Sequence, residues 1–129
     1  MQLRRFVAFL VTTNPERATT FYRDVLGFKF VMDDGFALVF DAHGTMIRIG
    51  KAQEFTPAQN TVAGWEVDDI REAASDLTQR GIAFDRHPRM AADERGVHTF
   101  PTGDKVAWFK DPDGNVLSIS QHYYQYGGE

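Results

Sequence analysis

The predicted elements of the first half of the chain recur in the same order in the second half, and this repeat constrains the fold more than any other sequence feature. In both halves an apolar strand leads into an amphipathic helix, a glycine ends the helix, and an apolar segment follows: residues 27–30 (GFKF) and residues 81–84 (GIAF). Either half alone is too short to bury its own sheet. We therefore expect the two halves to pack together as one domain.

Each half contains one predicted helix and four predicted strands. The helices follow from apolar residues at the spacing i, i+3, i+4, i+7: Ala18, Phe21, Tyr22 and Val25 in the first half, and Ile70, Ala73, Ala74 and Leu77 in the second. Gly27 and Gly81 end them. Strands are predicted at residues 3–12, 28–32, 36–40 and 45–49, and again at residues 61–67, 82–85, 106–110 and 116–121.

This order predicts an α+β fold with two βαβββ modules, at about residues 3–50 and 61–121, within a single domain of residues 1–129. A polar linker at about residues 51–60 joins the modules. We expect the two sheets to form one concave, open, barrel-like surface with the helices on the outside. The long loop at residues 87–102 suggests the mouth of a site, and residues 123–129 form an aromatic, glycine-rich tail.

Composition and charge exclude several classes of protein. The chain has no cysteine, which excludes a disulfide framework, a thiol nucleophile and a thiolate metal site. A net charge of −4 argues against a nucleic-acid partner. The sequence has no apolar run of the ~18 residues that a membrane span needs, and no signal peptide is recognised at its start. We expect a cytoplasmic protein with neither a nucleic-acid nor a membrane partner.

Three motifs resemble the vicinal oxygen chelate superfamily, which includes glyoxalase I, the bleomycin-resistance proteins and the extradiol dioxygenases. They are residues 21–28 (FYRDVLGF), residues 64–70 (GWEVDDI) and residues 108–115 (WFKDPDGN). The resemblance covers about residues 3–121. It implies the paired-module fold and a homodimer, because family members commonly pair modules across chains. These motifs are structural, so they say little about the chemistry.

Family enzymes usually hold one divalent metal through histidine and glutamate side chains on four strands. The resemblance places the matching positions at Phe6, Arg48, Val62 and Ser118. Phenyl and isopropyl groups cannot coordinate a cation, a guanidinium repels one, and a hydroxyl is a poor ligand. We therefore expect no metal and no other cofactor at this site. A slip of one residue in a strand would bring Glu66 or His122 into consideration, but no slip completes a ligand set.

Strand alternation divides the apolar residues between two faces. The face with Phe6, Arg48, Val62 and Ser118 would also carry Ala8, Leu10, Met46, Gly64, Glu66, Val106, Trp108, Val116 and Ser120. The face against the helices would carry Val7, Phe9, Ile47, Ile49, Ala63, Trp65, Phe109, Leu117 and Ile119. The first set mixes aromatic, small and polar groups, as a small-molecule pocket does. Alternatively, Phe6 and Trp108 fill this space as part of the hydrophobic core and do not line a pocket.

The candidate ligand-binding residues are Phe6, Arg48, Glu66, His98, Trp108, Ser118 and His122. Inside a pocket, Arg48 would need a partner, which is Glu66 or an acidic group of a ligand; alternatively, Arg48 points to solvent. Of the four histidines, His98 in the long loop and His122 after the last strand could reach the cavity. The positions of serine, histidine and aspartate along the chain indicate no catalytic triad.

These residues predict a metal-independent protein that binds a small planar or anionic molecule. Phe6 and Trp108 would stack on it, Arg48 would pair with its charge, and Ser118 would form a hydrogen bond. The catalytic residues, if any, are unknown. One alternative is a metal-dependent lyase of the glyoxalase type, an isomerase or a dioxygenase with displaced ligands such as Glu66, His98 or His122. Another is an interaction protein whose cavity is closed.

Overall fold

The computed structural model describes residues 1–124, and the chain divides into two compact units. Unit 1 consists of residues 1–59 and 111–115, and unit 2 consists of residues 60–110 and the segment that begins at residue 116. Residues 125–129 of the predicted tail lie outside the described residues. Within residues 1–124, no helix has the length and apolar composition that crossing a membrane requires.

Unit 1 is an open, mixed sheet of four strands with two short, consecutive helical segments. Its elements are β1 (Val7–Thr12), α1 (Pro15–Thr19), a π-helical segment (Thr20–Val25), β2 (Lys29–Asp33), β3 (Ala37–Ala42) and β4 (Thr45–Lys51). The strand order is β1-β4-β3-β2. Strand β1 runs parallel to β4, and the other neighbours are antiparallel. We call this sheet 1.

Unit 2 has the same topology. Its elements are β5 (Thr61–Glu66), α2 (Ile70–Gln79), β6 (His98–Thr99), β7 (Lys105–Lys110) and β8 (Val116–Gln121). The strand order is β5-β8-β7-β6, with β5 parallel to β8. We call this sheet 2. The predicted α+β class, two modules of the same strand order with open sheets, is confirmed.

The predicted strand at residues 82–85 is wrong, and β6 takes the edge of sheet 2 instead. Of residues 82–85, only Asp85 forms a β-bridge, to Trp108. The Ile82 amide donates to the Leu77 carbonyl at 3.0 Å, so this residue completes the end of α2. The Phe84 ring packs against Phe109, with ring centroids 5.7 Å apart. The apolar residues of this segment therefore pack in the core rather than forming a hydrogen-bonded strand of the sheet.

The first helix begins as predicted but is not a single α-helix. The Asn14 side chain accepts the Arg17 amide at 3.1 Å and caps the first turn, which Pro15 opens. From Thr20 the turns widen, and the Leu26 amide bonds to the Phe21 carbonyl five residues earlier. Gly27 follows with φ of 80°, which is the left-handed conformation that the helix end requires.

Strand β1 starts at Val7 rather than residue 3, and its predicted faces are reversed. Register pairs Leu10 with Ile49 and Phe9 with Arg48. Leu10 is therefore buried on the helix side, while Phe9 is exposed. The fully buried Thr12 lies on the same face of β1 as Leu10. Its hydroxyl donates to Asp113 at 2.5 Å, and this hydrogen bond fixes which residues of β1 point inward. A shift of one residue exchanges every side chain between faces.

Strands β4, β7 and β8, and β5 from Ala63 onward, have the predicted alternation. In sheet 1, Arg48 and Met46 lie on the face opposite Ile47 and Ile49, and we call it the open face of sheet 1. In sheet 2, register places Ser118 beside Gly64 and Trp108, and Ser120 beside Glu66 and Val106. These six residues define the open face of sheet 2. Its other face buries Ala107, Phe109, Leu117 and Ile119.

Candidate functional site

A hollow of about 270 Å³ lies on sheet 1, and we call it the unit 1 hollow. Its lining is mostly apolar, with a few polar groups: Arg5, Phe6, Val7, Val31, Val39, Phe40, Asp41, Gly44 and Met46. Phe6, Val31 and Met46 are exposed, so solvent reaches the lining. A concave apolar surface with few polar groups is typical of small-molecule sites.

The two charged residues of the hollow differ in their availability. The Asp41 carboxylate accepts the Gly44 amide at 2.7 Å and closes the tight turn between β3 and β4. Within residues 1–124, no ion pair of Arg5 is observed. Arg5 is therefore the cation that the hollow can offer to an acidic ligand.

Arg48, the cation predicted from the sequence, is already paired, and its partner is Asp34 rather than Glu66. Its Nη2 donates to Asp34 Oδ2 at 2.7 Å. The other carboxylate oxygen accepts the amides of Phe36 and Ala37, both at 2.9 Å. The Arg48 hydrogen bond and these two amides lower the pKa of Asp34 to about 2. Arg48 thus fixes the turn before β3 and does not line the unit 1 hollow.

This pair predicts an acid-sensitive contribution to stability. The pKa of Asp34 in the folded protein lies below the ordinary value of 3.8, so the stabilisation is present above that value, decreases below it, and is lost as the pH falls through about 2. We expect Asp34→Asn to lower the melting temperature at pH 6 and to have a much smaller effect at pH 2, where about half of the Asp34 carboxyl groups are protonated. Thermal unfolding of both proteins across this range measures the difference. An equal difference in melting temperature between the unchanged protein and Asp34→Asn at both pH values would contradict the role given to the Asp34–Arg48 pair.

Trp108 forms a fixed aromatic surface on the open face of sheet 2. Its indole Nε1 donates to the Thr61 hydroxyl at 2.9 Å. The rings of His98 and His87 lie beside it, with centroids 5.0 and 5.9 Å away. These contacts set the orientation of a partly exposed indole, the feature that a stacking residue needs.

His98 is fully buried rather than placed at a cavity mouth. Its Nε2 accepts the His87 amide at 2.9 Å, so the neutral ring carries its proton on Nδ1. Within residues 1–124, this Nδ1 is a buried side-chain atom without a hydrogen-bond partner. Leaving such a donor unpaired costs about 1–3 kcal/mol.

The other predicted residues of unit 2 fall into two groups. The Ser118 hydroxyl lies directly over Gly64, where a Cβ would overlap it, and Glu66 is exposed at the end of β5. His122 instead belongs to a hydrogen-bonded chain: its Nδ1 lies 3.0 Å from Asp104 Oδ2, and its Nε2 lies 3.0 Å from Ser120 Oγ.

Sequence reasoning missed this Asp104–His122–Ser120 arrangement. One signal was available in the sequence. Ser120 and His122 are two residues apart, so an extended chain points both side chains to one side. The register of Lys105 with Gln121 then brings the preceding Asp104 opposite His122, but register becomes visible only in the folded sheet.

The positions that the resemblance gives for metal ligands do not supply a donor set. Phe6 precedes β1, and the neighbour of Arg48 in that strand is Phe9. Within residues 1–124, no group of three histidine, aspartate or glutamate side chains is arranged to hold a metal ion. The side chains of Phe6, Arg48, Val62 and Ser118 include neither a carboxylate nor an imidazole that could bind a divalent ion at these positions.

The chain matches known proteins in sequence family and in fold. The family model described as the Glyoxalase/Bleomycin resistance protein/Dioxygenase superfamily matches residues 4–119. A member of that superfamily from Sphaerobacter thermophilus is similar in structure, with 23% identity, a TM-score of 0.73, and coverage of 94% of this chain and 98% of that one. No curated protein sequence matches the chain.

Two further solved structures have names that state an activity. Lactoylglutathione lyase from Agrobacterium tumefaciens has 19% identity and a TM-score of 0.71, covering 94% of this chain and 95% of that one. TnmS3, an antibiotic binding protein from Streptomyces sp. CB03234, has 22% identity and a TM-score of 0.70, covering 93% and 96%. At such identities the likeness shows the fold alone.

Proposed function

The chain belongs to the Glyoxalase/Bleomycin resistance protein/Dioxygenase superfamily, and from that premise we propose that it binds a small planar, anionic molecule without a metal. The observation that carries this proposal is the unit 1 hollow, with its apolar lining and with Arg5, which forms no ion pair with any of residues 1–124. The apolar side chains would contact the planar body of the ligand, and the guanidinium would bind its carboxylate or phosphate.

The proposal changes one role and keeps another. Phe6 lines the hollow and remains the residue that would pack on a ring. Arg5 takes the charge-pairing role that the sequence suggested for Arg48, because Asp34 already holds Arg48. Stacking on Trp108 and hydrogen bonding by Ser118 stay predictions, as do a homodimer and a cytoplasmic location.

The nature of the available side chains favours a binding protein over a metal-dependent lyase or dioxygenase. A metal that polarises two substrate oxygens must first be held by carboxylate or imidazole ligands. The four positions that the resemblance gives carry Phe6, Arg48, Val62 and Ser118 instead. The name of TnmS3, an antibiotic binding protein of the same fold, agrees with a binding role.

We expect 2-naphthoate to raise the melting temperature of the protein equally with and without a chelator. Val31→Trp should abolish this rise, because an indole at this exposed position would fill the hollow. Val62→Trp is the matched control, since Val62 is similarly exposed and does not line the hollow. Titration calorimetry then gives the affinities. An unchanged affinity of Val31→Trp for 2-naphthoate would contradict the proposed site. Binding that a chelator abolishes would favour the metal-dependent alternative.

The role of Arg5 is tested separately by comparing a charged ligand with a neutral one. We expect Arg5→Ala to weaken 2-naphthoate about 10- to 100-fold, the range expected for a charge-assisted hydrogen bond. The same variant should hardly affect the neutral analogue 2-naphthol. Arg4→Ala is the matched control, because Arg4 is adjacent and does not line the hollow. An equal loss of affinity in Arg4→Ala would show a general effect of positive charge.

A further inference from the structure

The structure assigns a second activity to unit 2: Asp104, His122 and Ser120 form a serine nucleophile site that accepts acyl or phosphonyl groups. Ser120 Oγ lies 3.0 Å from His122 Nε2, and His122 Nδ1 lies 3.0 Å from Asp104 Oδ2. Both distances are within hydrogen-bond reach, as nucleophile, base and orienting carboxylate require. None of the three residues lines the unit 1 hollow, so this inference is independent of the proposed binding function.

The hydrogen-bond directions follow from the carboxylate. The side chain of Asp104 is 12% exposed, and its hydrogen bond with His122 holds the pKa of its carboxyl below the ordinary value. A carboxylate only accepts, so His122 Nδ1 carries the proton and donates it. In the neutral ring Nε2 is then an acceptor, and the Ser120 hydroxyl donates to it. This is the tautomer that a general base for serine requires.

The fold holds the three groups in place and leaves the serine accessible. The second Asp104 oxygen lies 3.3 Å from the Tyr123 amide, which fixes the carboxylate. Ser120 lies on the open face of sheet 2, half-buried, and the His122 side chain is 31% exposed. The Tyr124 ring is 5.6 Å from the His122 ring and is exposed, so an aromatic leaving group can pack there.

The reaction balances with the residues present. Ser120 Oγ attacks the carbonyl carbon of an activated ester while its proton passes to His122 Nε2. The bond from carbon to the leaving oxygen breaks, and the departing oxygen takes that proton from His122. An acyl group is then bound to Ser120, and water attacks it by the same route to release the acid and restore the hydroxyl. The substrate class is an activated ester of a small carboxylic acid.

A fluorophosphonate probe tests the nucleophile, because the serine displaces fluoride and keeps a stable phosphonyl group. We expect one adduct per chain by intact mass, located at Ser120 by peptide mapping. Ser120→Ala should give no adduct, and Ser75→Ala, at a helix serine outside the site, should react like the unchanged protein. Release of p-nitrophenol from p-nitrophenyl acetate should likewise depend on Ser120. A folded protein that gives no adduct at Ser120 and no such release would overturn the inference.

The base and the positioning residue have separate readouts. We expect His122→Asn to slow labelling at least about 100-fold, the typical contribution of a general base. His43→Asn is the matched control, because His43 lies in an exposed turn at φ of 55°, which asparagine tolerates. Equal labelling rates in the unchanged protein and His122→Asn would overturn the inference.

Asp104 acts through His122, so its test uses the pH profile. In Asp104→Asn the imidazolium loses its carboxylate partner. The pH at which labelling is half-maximal should therefore fall, and the maximal rate should drop at least tenfold. A purely structural role would lower the rate without moving the profile, and that result would contradict the assignment of Asp104. Circular dichroism and melting temperature confirm that each variant is folded.

Discussion

Replacing Asp111 with alanine is expected to lower the free energy of unfolding by about 3–5 kcal/mol, the typical cost of removing one member of a buried charged network. The Asp111 carboxylate is buried and accepts four hydrogen bonds. Oδ2 binds the Tyr22 hydroxyl at 2.5 Å and the Asn115 side-chain amide at 2.8 Å. Oδ1 binds the backbone amides of Asp113 and Asn115, both at 2.9 Å.

The expected loss of stability is large because the hydrogen-bond donors remain in the protein after their acceptor, the Asp111 carboxylate, is removed. Tyr22 is fully buried, so in Asp111→Ala its hydroxyl would lie in the core without this acceptor. Burial and the adjacent Asp111 carboxylate raise the pKa of Tyr22 well above its ordinary value, so the hydroxyl remains a donor at any physiological pH. The Asn115 side-chain amide would lose one acceptor and keep its hydrogen bond to the Val11 carbonyl.

Thermal and urea unfolding measure this effect. We expect the melting temperature of Asp111→Ala to fall by roughly 10 °C or more. Tyr22→Phe removes the other partner and should cost less, about 1–2 kcal/mol, because three donors still bind the carboxylate. Asp76→Ala is the control, since this exposed aspartate pairs with Arg80 at the surface and its removal should change stability by about 0.5 kcal/mol or less. Similar losses for Asp111→Ala and Asp76→Ala would refute the network.

Replacing Phe40 with alanine should cost about 3–5 kcal/mol, the usual range for removing a buried aromatic ring. Phe40 is fully buried in β3 and also contributes to the wall of the unit 1 hollow. Its ring lies 5.8 Å from that of Tyr22 and 5.5 Å from that of Phe30. Truncation would remove both ring contacts and extend the hollow into the core.

Phe36 provides the matched control for Phe40. Phe36 is 81% exposed, and Phe36→Ala should therefore change the free energy of unfolding by about 0.5 kcal/mol or less. Urea unfolding of the two alanine variants compares a buried and an exposed phenylalanine of the same unit. A difference below about 1 kcal/mol between them would contradict the packing described for Phe40.

The sequence predicts the type and order of the elements better than the pairing of the strands. Hydrophobic periodicity reports which residues are buried, and it does not report which strands are neighbours. The stripe of Ala18, Phe21 and Tyr22 is buried as expected, and residues Ile70 and Ala74 of α2 are buried too. Residues 82–85 look like a strand because they are mostly apolar, yet Ile82 bonds to the end of α2, Phe84 packs on Phe109, and His98–Thr99 forms the edge strand. Two residues of a short edge strand leave no periodic signal.

Contacts between distant residues explain what was missed at the candidate sites. Phe6 was predicted as a site residue, and it lines the unit 1 hollow, although β1 begins after it. The partner of Arg48 was predicted as Glu66 or an acidic group of a ligand, and Asp34 was missed because strand alternation cannot show a turn residue folding back. Asp104 and His122 are likewise brought together by strand register, which no local pattern encodes.

Residues 111–115 belong to unit 1, although β7 and β8, which they connect, belong to unit 2. A gene fragment that stops at codon 59 would encode all four strands of sheet 1, yet its product would lack Asp111 and leave the Tyr22 hydroxyl without that acceptor. The halves of the repeat are therefore not exchangeable parts. Chimaeras that recombine half-genes from two relatives must take the codons for residues 111–115 from the parent that supplies the first half.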